Sequence, residues 1–185
     1  DDGEHMTDLL RLNDLDSTCC ALWRSGAVGD CRRQALDLIE QASAADDVRA
    51  QARGWLHRAR CDQFQSAFLD MLEAARRAAA LLHAGESDRD LVQARVLTCV
   101  AATALNRPDE AIEAGLLARH LAEDGEDAGD RLLAAGARAQ AFSWAGQIDP
   151  ALGCLDSALI QAREMPGSGQ VVQVLIERAC TQVWH

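Results

Sequence analysis

Gly146-Gln147-Ile148-Asp149-Pro150-Ala151-Leu152-Gly153-Cys154-Leu155-Asp156-Ser157-Ala158-Leu159 is the stretch on which the reading of this chain turns. Its spacing is alanine, apolar, two free, apolar, two free, alanine. Residues three, four and seven apart share one face of a helix, and two alanines on that face let a second helix approach closely. The spacing recurs as Ala35-Leu36…Ile39…Ala42, Ala67-Phe68…Met71…Ala74 and Ala111-Ile112…Gly115…Ala118. The four copies begin 32, 44 and 40 residues apart, which suits one pair of helices per copy. They predict an all-α chain built as an α-solenoid.

Composition agrees. Of 185 residues, 49% are hydrophobic but only 4% aromatic, and tyrosine is absent, so alanine must supply much of the core. That suits close-packed helices better than a sheet, and no stretch alternates or enriches β-branched residues as strands do. The 18 basic residues, all arginine, against 29 acidic ones leave a net charge of −11. This argues against direct binding of nucleic acid or a membrane surface, whose phosphates require a local positive excess. No apolar run approaches the ~20 residues of a bilayer span, and no signal peptide is visible. The seven cysteines contain no CxxC pair, so neither a disulfide framework nor a zinc ribbon is expected. The expected setting is cytoplasmic and reducing.

Residues 1–6 read as a disordered leader, and 7–185 as one repeat domain with repeats over about 7–45, 46–86, 87–125 and 126–166. A terminal helix over 170–184 makes about nine antiparallel helices, four pairs and one more. The first helix is expected from Thr7 to Arg24 and the second from Asp30. A third starts at Asp46-Asp47 and ends near Cys61-Asp62, and a fourth runs from Gln63 to His83. Pro108 and Pro150 sit where proline starts a helix, and Gly146 ends the helix before it. The ninth helix carries Val171, Val172, Leu175, Ile176, Val183 and Trp184. So apolar an end predicts that further chain or another subunit covers it, because solenoids finish with a polar cap.

These patterns, with a turn carrying Gly or Asn ahead of the copies at 35, 111 and 151, resemble the tetratricopeptide repeat over about residues 8 to 166. The resemblance implies a right-handed superhelix whose first helices line a concave groove. It also implies a small residue in each first helix that lets it nest, a slot assigned to Cys19, Gly54, Cys99 and Ala139. The chain departs from the family in its Trp, Leu-Gly and Tyr positions and in a period stretched toward 40. Longer repeats of this kind resemble those of bacterial signalling proteins, including regions fused to transcription regulators or diguanylate cyclases.

Candidate chemistry is sparse. His57 and Cys61 are four apart on one helix, a metal-ligand spacing, but no second His or Cys pair completes a tetrahedral set. The acidic loop at 123–130 puts Ala128 and Ala135 where an EF-hand needs ligands. Gly167-Ser168-Gly169 follows a helix rather than a strand and lacks the third glycine of a dinucleotide fingerprint. No metalloprotease, nucleophile-elbow, P-loop or kinase motif is present. No catalytic residue, metal or cofactor is therefore assigned.

The chain thus reads as a non-enzymatic, regulatory interaction scaffold that binds a peptide or partner protein. Two other readings are a helical pocket sensing a small molecule and a homodimerisation module for an attached enzyme. With the nesting slots assigned as above, the residue after each and the one three beyond that turn into the groove. They include Trp23, Trp55, Arg58, Gln140 and Ser143, the candidate binding residues. Tryptophan and arginine join large contact area to directional donors, as binding hot spots do.

Overall fold

The structure, a computed structural model, describes residues 2–82, 89–125 and 127–164. Among them are eight helices and no strand: α1 (Asp2–Arg24), α2 (Val28–Ala44), α3 (Val48–Phe64), α4 (Phe68–Leu81), α5 (Arg89–Ala104), α6 (Pro108–Asp124), α7 (Ala128–Trp144) and α8 (Ile148–Glu164). The expected ninth helix over 170–184 lies outside the described residues. The first helix begins at Asp2 rather than Thr7. The chain divides into two compact units, Asp1–Gly85 with α1–α4 and Glu86–His185 with α5–α8.

A rule of twenty residues governs both units. Helices α2, α3, α6, α7 and α8 are each 17 residues long and begin at 28, 48, 108, 128 and 148. Three-residue turns follow α1, α2, α3, α5 and α7, and the middle residue of each of these takes a left-handed backbone: Gly26, Asp46, Ser66, Asn106 and Gly146. One residue later the amide reaches back five positions, from Ala27 to Leu22, Asp47 to Ala42, Ala67 to Asp62, Arg107 to Ala102 and Gln147 to Phe142, at 2.8–3.0 Å. That is the Schellman closure, which satisfies carbonyls the helix end leaves open. Asp47 and Asp127 cap α3 and α7, accepting from the amides of Ala50 and Gly129.

This pitch corrects the register expected for the first two copies. Forty residues back from Ala151 stand Ala111, Met71 and Cys31, and all four are fully buried. Ala35 is also buried, one turn further on, but Ala67 only precedes α4 as its half-buried N-cap. A helix presents the same face every three to four residues, so a pattern of small and apolar residues matches equally well one turn out of place. The turn at Gln65-Ser66-Ala67 likewise went unsignalled, because it contains neither glycine nor asparagine. The fourth helix therefore starts at Phe68, not Gln63, and the third continues to Phe64.

Counting by forties also relocates one nesting slot. Cys19, Ala59, Cys99 and Ala139 are the equivalent residues, exposed by 0–2%. Gly54 lies five residues short of the slot and serves another contact, with α2. A Cβ there would stand 2.7 Å from Ile39 Cγ1 and 3.2 Å from the Ala35 carbonyl oxygen. Gly54→Val should therefore destabilise the N-terminal unit by about 1–3 kcal/mol through overpacking. Urea melts followed by helical circular dichroism measure this; an unchanged midpoint would contradict the close approach.

The cores are small-residue cores. In the N-terminal unit Cys19, Val28, Cys31, Ala35 and Cys61 pack together with Leu22 and Trp23. In the C-terminal unit one cluster holds Cys99, Ala102, Ala111, Ala114, Ala137 and Ala141. Burial pushes the Cys19, Cys61 and Cys99 thiols up to about 12, so they pack as small hydrophobes rather than reacting as thiolates.

Candidate binding face on the first helices of each pair

In the N-terminal unit, α1 and α3 are the first helices of their pairs and pack on each other. Trp23, near the end of α1, is half-buried and meets Phe64, the last residue of α3, edge to face with ring centroids 6.3 Å apart. Phe64 is itself 70% exposed. The ring pair is fixed by a favourable aromatic geometry while one ring remains in water.

Beside it lies an ionic cluster joining the same two helices. His57 Nε2 stands 2.6 Å from Asp16 Oδ1, and Arg53 is 3.5 Å from the other carboxylate oxygen. The hydrogen bond from His57 does most to hold the Asp16 carboxyl below its usual range; burial opposes it, and the charges of His57, Arg53 and Arg60 assist. Ionised Asp16 therefore stabilises the fold above its unfolded pKa of about 3.9, and that contribution is lost as pH falls through the lower folded value. Asp16→Asn should remove this term, so the variant loses less stability than the wild type between about pH 7 and about pH 3. Urea melts at both pH values test it; equal acid losses would contradict the linkage.

Asp16 and Cys20, one turn apart on α1, also bring their ligand atoms within 4.8 Å of each other and of His57. Arg53 sits on the same carboxylate, so a dication would have to displace a guanidinium. Cys61, which shares ligand spacing with His57 in the sequence, is instead buried against Cys19 and Cys31.

The five candidate residues fall in two places. Trp23, Gln140 and Ser143 belong to one register: by the forty-residue count, Arg60 and Gln63 of α3 correspond to Gln140 and Ser143 of α7. Gln140 is exposed and Ser143 half-buried. Trp55 and Arg58 belong elsewhere, because they were counted from Gly54. Trp55 is buried and bracketed by two guanidinium groups, Arg58 at 5.3 Å and Arg77 of α4 at 4.7 Å from the ring centroid. Arg58 stands 3.5 Å from the fully buried Asp62, whose other oxygen takes the Nε of Arg32 at 3.1 Å. This cluster ties α2, α3 and α4 together.

Two residues were missed in the sequence. Phe64 and Trp144 are the last residues of α3 and α7, eighty apart, and both are about two-thirds exposed. The twenty-residue pitch is the signal that pairs them; without Ser66 as a turn residue, Phe64 falls at the start of the expected fourth helix rather than at the end of the third.

No protein-family model and no curated protein matches the chain. Among solved structures, it is similar to a kinesin light chain from Podosopora anserina with nearly identical TPR-like repeats. That likeness has a TM-score of 0.71 at 15% identity and covers 92% of this chain and 85% of the other. With the twenty-residue helix-and-turn pitch, it shows that this chain folds as an all-α, tetratricopeptide-like helical repeat.

Proposed function

We propose that the chain is a non-enzymatic interaction scaffold that holds a peptide or partner protein along the first helices of its pairs. Such repeats generally bind protein, and the observation that carries the reading here is a recurring exposed aromatic. Phe64, braced by Trp23, and Trp144, beside Gln140 and Ser143, end equivalent helices with two-thirds of their surface in water. Large exposed rings on a rigid helix end make good anchors, because little side-chain entropy is lost when they are covered. Trp55 and Arg58 support this face indirectly by fixing α3 against α4. The net charge of −11 disfavours nucleic acid and anionic membrane as direct partners. No described helix is long and apolar enough to cross a membrane.

The resemblance to longer bacterial repeats supports a finer assignment, a cytoplasmic regulatory region of a signalling protein attached to an output domain such as a diguanylate cyclase or transcription regulator. The test is a paired capture experiment. Tagged wild type and a Phe64→Ser, Trp144→Ser variant are compared for the proteins they retain, identified by mass spectrometry. Loss of the ring pair with Trp23 should cost no more than about 1.5 kcal/mol, which leaves the variant folded, while retention of the specific partner drops about tenfold or more. Equal retention by a folded variant would overturn the assignment.

A further inference from the structure

The twenty-residue pitch permits a residue-by-residue comparison of one unit with the other that exposes a second, different site. Eighty residues separate α3 from α7 and α4 from α8, so Trp55 corresponds to Ala135, Arg58 to Arg138 and Arg77 to Ser157. In the N-terminal unit the indole of Trp55 fills the space beside α4 and is stacked by both arginines. In the C-terminal unit alanine and serine stand at the equivalent places. The space is left as a cavity of about 490 Å³ among α6, α7 and α8, with Ala135, Arg138, Gly153 and Ser157 in its wall. That volume falls in the range of small-molecule sites, about 300–1,000 Å³.

The cavity is also positive in a chain that is strongly negative overall. Arg119, Arg131 and Arg138 line it, with Glu123 the only carboxylate among the described lining residues. Glu123 accepts from Arg119 at 2.6 Å, and Arg131 donates to the Gly125 carbonyl at 3.0 Å. Arg138 differs. The half-buried side chain lies with its guanidinium 5.6 Å from the centre of the Phe142 ring and also interacts with the Cys154 thiol, but its buried Nε has no acceptor. A buried charged donor without an acceptor is costly, and an anion placed there would relieve that cost.

We propose that this cavity binds a small aromatic acid, separately from the partner-binding face. Its planar ring takes the place that Trp55 occupies in the other unit, and its acidic group accepts from Arg138. Arg138 is held for this role by Phe142 on one side and by Gly115 of α6 on the other, where even a Cβ would come within 2.8 Å of the arginine side chain.

The probe is the fluorescent aromatic sulfonate 8-anilinonaphthalene-1-sulfonate, with N-phenyl-1-naphthylamine as the same ring system lacking the acid. Wild type should bind the sulfonate saturably at one site. Ala135→Trp restores the indole of the other unit. Gly153→Phe fills the cavity from a position where an added Cβ meets nothing within 4 Å, which keeps the test valid should Ala135→Trp fail to fold. Each filled variant that retains its thermal transition should lose the sulfonate by about tenfold or more, and Arg138→Gln should weaken it about tenfold while leaving the neutral dye unchanged. No saturable binding by wild type, or undiminished binding by a folded filled variant, would overturn the site. Equal weakening of both dyes by Arg138→Gln would overturn its assignment to an acid.

Discussion

Leu155→Ala should destabilise the C-terminal unit by about 2–5 kcal/mol. Leu155 is fully buried on α8, in a cluster whose other buried members are Ala139, Cys154, Ala158 and Ala162. Its fully buried neighbours are small, but Leu132, Phe142 and Leu159 pack against the cluster and can fill part of the void, which places the loss near the middle of that range. Leu38→Ala, at the other fully buried leucine, should cost a similar amount in the N-terminal unit. Urea melts followed by helical circular dichroism measure both. Leu133→Ala, at a position 48% exposed on α7, is the control and should shift stability by no more than about 0.5 kcal/mol. A loss below about 1 kcal/mol at Leu155 would mean that the helix pairs are not packed as described.

The next largest effect is expected at Asp62. Its carboxylate is fully buried, with Arg32 at 3.1 Å and Arg58 at 3.5 Å. Removing one member of a buried ion cluster leaves the others uncompensated and costs roughly 3–5 kcal/mol. Here Arg32 and Arg58 keep part of their side chains in solvent, so Asp62→Ala should sit near 3 kcal/mol, roughly the low end. Position 142, the equivalent in the C-terminal unit, is phenylalanine with Arg138 against its ring. The same helix position thus holds an arginine by charge in one unit and by cation–π contact in the other. A urea melt of Asp62→Ala within about 1 kcal/mol of wild type would contradict the cluster's structural role.

These effects fall on residues that the sequence made visible to different degrees. Alanine spacing at 111 and 151, with Gly146, Pro108 and Pro150 as punctuation, identified the helices and their pairing, because those signals act within one or two turns of chain. Where a turn used Ser66 instead of glycine or asparagine, the helix boundary was lost. The register slipped with it, and Trp55 and Arg58 were counted from Gly54 rather than Ala59. The ion pair between Asp16 and His57 spans 41 positions, and no local pattern marks it. The cavity beside Arg138 was equally invisible. It depends on what Ala135 and Ser157 lack, and that emerges only when each is set against its equivalent in the other unit.

The most direct test of the scaffold assignment is site-specific photocrosslinking in cells. A photoreactive phenylalanine analogue is placed singly at Phe64 and Trp144 on first helices, and at Leu69 and Ile160 on second helices. All four are large apolar positions between 63% and 70% exposed, so general stickiness would label them alike. The account predicts a discrete crosslinked partner from positions 64 and 144 and none from 69 and 160. Crosslinks of equal or greater yield from 69 and 160 would contradict it.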